Sequence, residues 1–297
     1  MKRVETVLTA SAKLQAKDLA HQALRYKALQ SLGKLPPLSP ILNKLMVTLS
    51  DKDVSFSQLS DLIEKDTILA GNVLGLVNSA PYRCNGAINS VRHAVSLIGL
   101  SKLRNVATSL SFARLRTSSS AKAWFPALFS MHSAATAILA DLLAAELPVD
   151  YPEGAFTAGL LQNVGMMLIA LGLPEERIKI QENYCRASES LSDCERDVLG
   201  FDHADLSAEV LHRWNLPEPI QLAVLQHHSP GPVSGQMRLA HLLGQADLLA
   251  AQIGIVAQPW LRPAGGSPLE TLEAIGLSPT VMERFQTEYE AIRGMFR

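Results

Sequence analysis

The sequence is poor in aromatic residues and in cysteine, and each shortage excludes something. Phe, Trp and Tyr make up 5% of the 297 residues, too few for a platform that stacks successive bases of a single strand. The three cysteines, Cys84, Cys185 and Cys194, show no C-x-x-C spacing. That excludes a disulfide framework and a cysteine-built zinc site, and points to a reducing compartment. No stretch alternates apolar and polar residues long enough to predict a strand. Residues 1–20 scatter charges through what would be the apolar core of a signal peptide, so none is expected. The most apolar window, 155–171, is short for a bilayer span and carries Thr157, Gln162 and Asn163. It is read as a core helix, which leads to the expectation of a cytoplasmic protein without a membrane segment.

Acidic residues are missing from one long region. Between Asp66 and Asp141 there is no Asp or Glu, while seven cations fall there: Arg83, Arg92, Lys102, Arg104, Arg114, Arg116 and Lys122. From Tyr151 to Glu218 the balance reverses, with 12 acids against 5 Lys and Arg. The overall charge of -1 hides this segregation, which shapes partner choice more than fold. Arg83, Arg92, Lys102, Arg104, Arg114 and Arg116 are therefore the candidate partner surface, for an acidic protein ahead of a nucleic acid. The plainer alternative is that they are dispersed over several helices, some of them paired with the acidic half.

What the chain does have is helical periodicity. A weakly amphipathic helix is read over 4–32, ended by the prolines of LGKLPPLSP (32–40). Ile41 to Leu49 mark another helical face. Ser55 and Gln58 form a capping-box pattern, with Leu59, Leu62 and Ile63 turned inward. Asp66 can cap the next helix, which ends near NSAPYRCNG. A short helix runs from Ser90 to Ile98 and closes at Gly99, and another spans Leu103 to Leu115. RTSSSAKAW (116–124) reads as a linker. Helices follow near 125–146, 153–171, 175–188, 193–200, 204–214, 218–228, 236–253, 268–275 and 279–293. Two starts are marked, by Ser192 and Glu195 as a capping box and by Pro217 at a first helical position. The expectation is an all-α protein with two helical subdomains and extra helices at both ends. The boundaries are an N-terminal helix (1–34), a first helical part (35–120), a helical bundle (121–253) and C-terminal helices (254–297).

Histidines carry the candidate chemistry. His132, His203, His227, His228 and His241 fall on or beside separate predicted helices, with Asp247 nearby. Imidazoles from several helices plus a carboxylate can build a metal site inside a bundle. His93, beside Arg92, reads as an exposed residue. Cys185 and Cys194 read as ordinary thiols.

Two stretches resemble the HDOD family, the HD-related output domains of the HD superfamily of metal-dependent phosphohydrolases. The first runs from KLPPLSPILNKLM through IEKDTILAGNVLGLVNSAPYRCNGAINSVRHAVSLIGLSKLRNVATSLSF. The second runs from His132 through Ala155-Phe156 and AGLLQNVG to GFDHADLSAEVLHRWNLPEPIQLAVLQHHSP. The resemblance implies that 121–253 is an HD-like bundle. It matches His132 to the first metal-ligating His, Gln162-Asn163 to the His-Asp doublet that names the superfamily, and Asp247 to the final Asp. His203, His227 and His228 match the additional histidines of binuclear relatives. It also implies that Trp214 to Pro217 is the family's W-x-L-P turn, packing one helix end.

Two of the four core ligands are thus carboxamides, which are neutral and cannot offset a divalent charge. A tight site is worth about 10–16 kcal/mol, and losing a bridging carboxylate and an imidazole removes a large share of it. The reading is a non-catalytic signalling module with no cofactor and no catalytic residue. Its pocket of His132, Gln162, Asn163, His203, His227, His228 and Asp247 would bind a small ligand such as a nucleotide or stand as a vestige, and the module would act on a protein partner in a signalling pathway. One rival is a phosphohydrolase with a remodelled site, holding Fe, Mn or Zn on His132, His203, His227, His228 and Asp247. The other is a nucleic-acid-binding regulator that uses the basic region.

Overall fold

A computed structural model describes residues 2–34, 55–64, 67–78, 88, 90–99, 102, 105, 108–109, 124–231 and 236–293. Among them there is no strand, only one isolated bridge between Val149 and Met237. The all-α expectation holds.

Helix α1 (Lys2–Gln30) is followed by a 3-10 turn at Ser31–Lys34. Next come α2 (Phe56–Glu64), α3 (Thr67–Val77) and α4 (Val91–Ile98), which pack on one another. Their inner face is Leu59, Ile63, Val73, Val77, Val91 and Ala94, all buried. The capping box opening α2 is present: the Gln58 N–H donates to Ser55 Oγ at 3.3 Å, and the Ser55 N–H donates to Gln58 Oε1 at 3.1 Å. Gly99 takes a positive φ at the end of α4, as its position in the sequence suggested. The Asp66 cap, the 41–49 face and most of the 103–115 helix lie outside the described residues, as do Cys84 and the 116–123 part of the linker.

The second part is built around α5 (Pro126–Glu146), which crosses α6 (Ala155–Leu161). Then follow α7 (Val164–Gly172), α8 (Pro174–Arg186), α9 (Leu191–Leu199), α10 (His203–Arg213), α11 (Glu218–Gln226) and α12 (Leu239–Gln252). The chain ends with α13 (Pro268–Ala274) and α14 (Thr280–Arg293), the latter lying on α5. Pro126–Glu146 and Pro152–Gly172 are long and apolar enough to cross a membrane, yet 78% and 94% of their apolar windows are buried within the fold. They are the core here. Leu139, Leu143, Leu160 and Leu161 are fully enclosed, each contributing about 1.5–3 kcal/mol through burial.

Three sequence expectations need correction. The 153–171 helix is two helices, broken at Gln162-Asn163, where Asn163 leaves helical geometry at φ -104° and ψ 11°. The cap of α9 is Ser190, whose Oγ accepts from the Asp193 N–H. Ser192 and Glu195 are drawn away to Asp202 and His203. Pro217 precedes α11 as its N-cap, with φ -53° and ψ 138°, and Pro219 is the proline inside the first turn.

Two glycines allow close approaches that bear on the site. A Cβ on Gly165 would sit 2.1 Å from the carbonyl oxygen of His203, so glycine lets α7 lie against the start of α10. Gly200, at φ +80°, ends α9 in the left-handed region and faces the His21 ring of α1.

Candidate functional site

The seven residues expected in the pocket come from five separate helices or helix ends. His132 lies on α5, Gln162 and Asn163 at the α6–α7 break, and His203 at the first position of α10. His227 and His228 close α11, and Asp247 is on α12. Local chemistry sets these ends. Asp202 caps α10 through a reciprocal capping box with Asp205 and also receives Arg196 at 2.8 Å. Asp150 caps α12, accepting from the Leu239 N–H at 2.9 Å, which fixes the helix that carries Asp247.

The residues form two adjoining groups. In the first, His132 is buried and donates from Nδ1 to the Ile255 carbonyl at 3.0 Å and from Nε2 to Asp247 Oδ1 at 3.1 Å. The same oxygen accepts from Gln162 Nε2 at 2.9 Å. The Asn163 carboxamide lies 3.2 Å from His132 Nε2. With a hydrogen on that nitrogen, the amide oxygen is the atom suited to face it. Burial opposes a charge on His132, but the hydrogen bond and charge of Asp247 outweigh it and raise its pKa. For Asp247 burial acts upward, and the His132 hydrogen bond and charge win, holding the carboxyl well below its usual range. The group is an imidazolium–carboxylate pair with an amide donor added.

The second group is His203, His227 and His228, whose ligand nitrogens lie within 4.8 Å of one another. Glu195, buried on α9, accepts from both the backbone N–H of His203 at 2.8 Å and its Nδ1 at 2.6 Å. Burial disfavours charge on His203, and the Glu195 carboxylate reverses this and raises its pKa. His203 Nε2 then donates to His228 Nε2 at 2.8 Å. His227 donates from Nδ1 to the Val224 carbonyl at 2.6 Å. Burial and the charge of His203 push its pKa down to about 4. Its Nε2 is a buried lone pair without a partner. His228 keeps an exposed outer edge, and desolvation of its ring with the neighbouring imidazoles lowers its pKa too.

The two groups answer differently to a metal. Asn163 cannot bridge ions, and Asp247 is already engaged by His132 and Gln162, so the first group does not suit a divalent ion. The second suits one ion. One ring nitrogen of each histidine converges, and two of the rings, His203 and His227, have their Nδ1 held from outside, the arrangement that orients imidazole ligands. The orphaned Nε2 of His227 is the observation that fits a missing electrophile.

A half-open cavity of about 150 Å³ adjoins both groups, with His132, Asn163, His203, His228 and Asp247 on its polar side. Val256, Ala257, Leu261 and Arg262, from the segment after α12, also line it. Glu195 and Arg262 were not singled out from the sequence. Glu195 was hidden inside an apparent capping box, and Arg262 lies past the recognisable motifs. His241 stands apart from the pocket, bonding the Gly231 carbonyl at 2.7 Å.

Two cations of the basic region are described, and both are paired. Arg92 pairs with Asp61 at 2.6 Å, and Lys102 pairs with Glu288 of α14. Neither partner belongs to the acidic 151–218 stretch. Arg83, Arg104, Arg114, Arg116 and Lys122 lie outside the described residues. His93 is exposed, as expected. Cys194 is a buried free thiol and Cys185 an exposed one.

The HDOD domain model matches residues 35–230. An uncharacterized protein of Treponema pallidum (strain Nichols) is 29% identical over 211 residues, 67% of this chain; the chain spans 38% of that relative's length. Among solved structures, an HDOD domain protein with unknown function from Geobacter sulfurreducens aligns with a TM-score of 0.68 at 20% identity, over 93% of this chain and 97% of its own. A candidate phosphohydrolase from Shewanella amazonensis SB2B aligns at 0.70 and 21%, over 91% and 98%. A candidate signal transduction protein from Marinobacter aquaeolei VT8 aligns at 0.69 and 21%, over 93% and 66%. At these identities the likeness is one of fold.

Proposed function

We propose that this chain, which belongs to the HDOD domain family, is a signalling module that binds a ligand or protein partner and does not hydrolyse phosphate esters. One observation carries the proposal. Where a metal-dependent relative needs an imidazole and a bridging carboxylate, His132 and Gln162 both donate to Asp247. A proton and an amide hydrogen occupy the place of cationic charge, and two bridged ions cannot be assembled to activate water. The signalling context comes from the family and from the name of the Marinobacter protein. The test is an assay of the purified chain with Mg, Mn, Fe and Zn against cyclic dinucleotides, (p)ppGpp and deoxynucleoside triphosphates. No turnover is the expected result. Robust turnover abolished by His203→Ala would overturn it.

A second reading is favoured by the orphaned His227 nitrogen: His203, His227 and His228 hold one ion of the zinc class, which orders the pocket. Its readout is elemental stoichiometry and a rise in melting temperature with added zinc, both lost in His227→Ala. A nucleic-acid role has no support in the described cations of the basic region, Arg92 and Lys102, which are paired. It predicts salt-dependent binding of DNA or RNA, and the expected mobility-shift result is none.

A further inference from the structure

Arg262 lies beyond the residues matched by the family model and is fixed with unusual completeness for an exposed arginine. Its guanidinium stacks over the Tyr184 ring at 4.2 Å from the centroid. Nη2 donates to the main-chain carbonyls of Tyr184 at 3.3 Å and Glu189 at 3.2 Å, and the Arg262 N–H donates to the Tyr184 hydroxyl at 3.3 Å. Tyr184 is in turn braced edge-on by Trp260, with centroids 5.7 Å apart. Among the described residues no carboxylate pairs with Arg262, and its Nε and Nη1 have no protein acceptor. A clamped guanidinium with Nε–H and Nη1–H donors free, on the lining of a cavity, is a preorganised cationic anchor for an oxyanion. Tyr184 and the two carbonyls have already taken up the entropy that a free arginine would lose on binding.

The rest of the lining sets the size and sign of the occupant. A cavity of about 150 Å³ is smaller than the roughly 300–1,000 Å³ of pockets for drug-sized ligands, so a whole nucleotide does not fit inside. A phosphate does, with Met166, Leu191 and Leu261 limiting anything larger. The one acid on the lining, Asp247, is matched by His132 and Gln162. His203, His228 and Asn163 supply polar atoms at the base.

We propose that this cavity binds a phosphate-sized oxyanion head group, free or terminal on a larger molecule, with Arg262 as its principal anchor and without a metal. The proposal rests on the reading of the pocket as one that binds and does not hydrolyse.

The test is isothermal titration of the full chain with inorganic phosphate at constant ionic strength, with EDTA present. Saturable binding is expected, weakened roughly tenfold or more in Arg262→Ala, as suits the loss of hydrogen bonds to a charged group. Arg262→Lys, which keeps charge but not the stacked, clamped guanidinium, should fall between. Arg186→Ala, an exposed arginine that pairs with Glu182 and does not line the cavity, should bind as the unaltered chain does, and circular dichroism of Arg262→Ala separates loss of the anchor from loss of local structure. A nucleoside monophosphate titrated in parallel distinguishes a free from a terminal phosphate: tighter binding than inorganic phosphate marks the terminal source, and equal or weaker binding the free ion. Phosphate binding that ignores Arg262→Ala, or that requires added zinc, would overturn the proposal. No phosphate binding in a chain that also hydrolyses nothing would sink the oxyanion while leaving the non-hydrolytic reading standing. Hydrolysis would remove that reading whatever phosphate does.

Discussion

Glu195 accepts two hydrogen bonds from one residue, His203, through the backbone N–H at 2.8 Å and the ring Nδ1 at 2.6 Å. A single buried carboxylate oxygen thus sets both the start of α10 and the direction of the imidazole. His203 Nε2 is left to face His228 and His227.

That geometry makes Glu195 a positioning residue for any ion on the three histidines. Glu195→Gln should weaken zinc binding by about 10–100-fold, the usual cost of losing such an outer partner. Competition with a chromophoric chelator measures it, and circular dichroism reports whether the helices survive. Unchanged affinity in a folded variant would show that Glu195 only caps α10.

His132 and Asp247 titrate in opposite senses, and the sign of their contribution follows. His132, raised above its ordinary value, stabilises the fold below about pH 6.5 and stops doing so as pH rises through its folded pKa. Asp247, lowered, stabilises above about pH 4 and stops as pH falls through its folded value. The pair is therefore whole between about pH 4 and about pH 6.5. Asp247→Asn should cost about 3 kcal/mol in urea denaturation at pH 6, and less once pH passes the folded pKa of His132. The His132 ring should titrate above its ordinary value in NMR spectra of the unaltered chain and lose that elevation in the variant. A resonance titrating below it in the unaltered chain would contradict the pair.

Building a His-Asp doublet is the converse experiment. Gln162→His with Asn163→Asp introduces an imidazole and a carboxylate beside His132 and Asp247. Metal content by elemental analysis should rise by one ion per chain after loading. If it does not, the pocket has been closed by more than these two side chains.

Gly165 has no room for a side chain, because a Cβ there would meet the His203 carbonyl at 2.1 Å. Gly165→Ala should cost about 1–3 kcal/mol or more through backbone displacement, read as a lowered urea midpoint. It should also loosen the three histidines, weakening zinc binding alongside. An unchanged midpoint would mean that α7 and α10 can separate freely.

Much of the helical pattern was legible because burial on one face leaves a 3.6-residue period. Predicted helices near 125–146, 175–188 and 204–214 correspond to Pro126–Glu146, Pro174–Arg186 and His203–Arg213. The break at Gln162-Asn163 was not visible, since the apolar run continues on both sides and neither amide forbids a helix. The overlapping patterns Ser190-x-x-Asp193 and Ser192-x-x-Glu195 were indistinguishable as caps. Tertiary demand from His203 decided between them.

By itself the sequence determined an all-helical chain and set two amides, Gln162 and Asn163, inside an apolar run. Both are properties of side chains and their spacing. Only the packed structure decided what Asp247 does with its charge, because its donors are His132 and Gln162, 115 and 85 residues away. It likewise decided that Glu195 serves His203 and that Arg262 lines the same cavity. Contacts between distant residues depend on how helices cross, and the spacing of residues along one helix carries no record of that crossing.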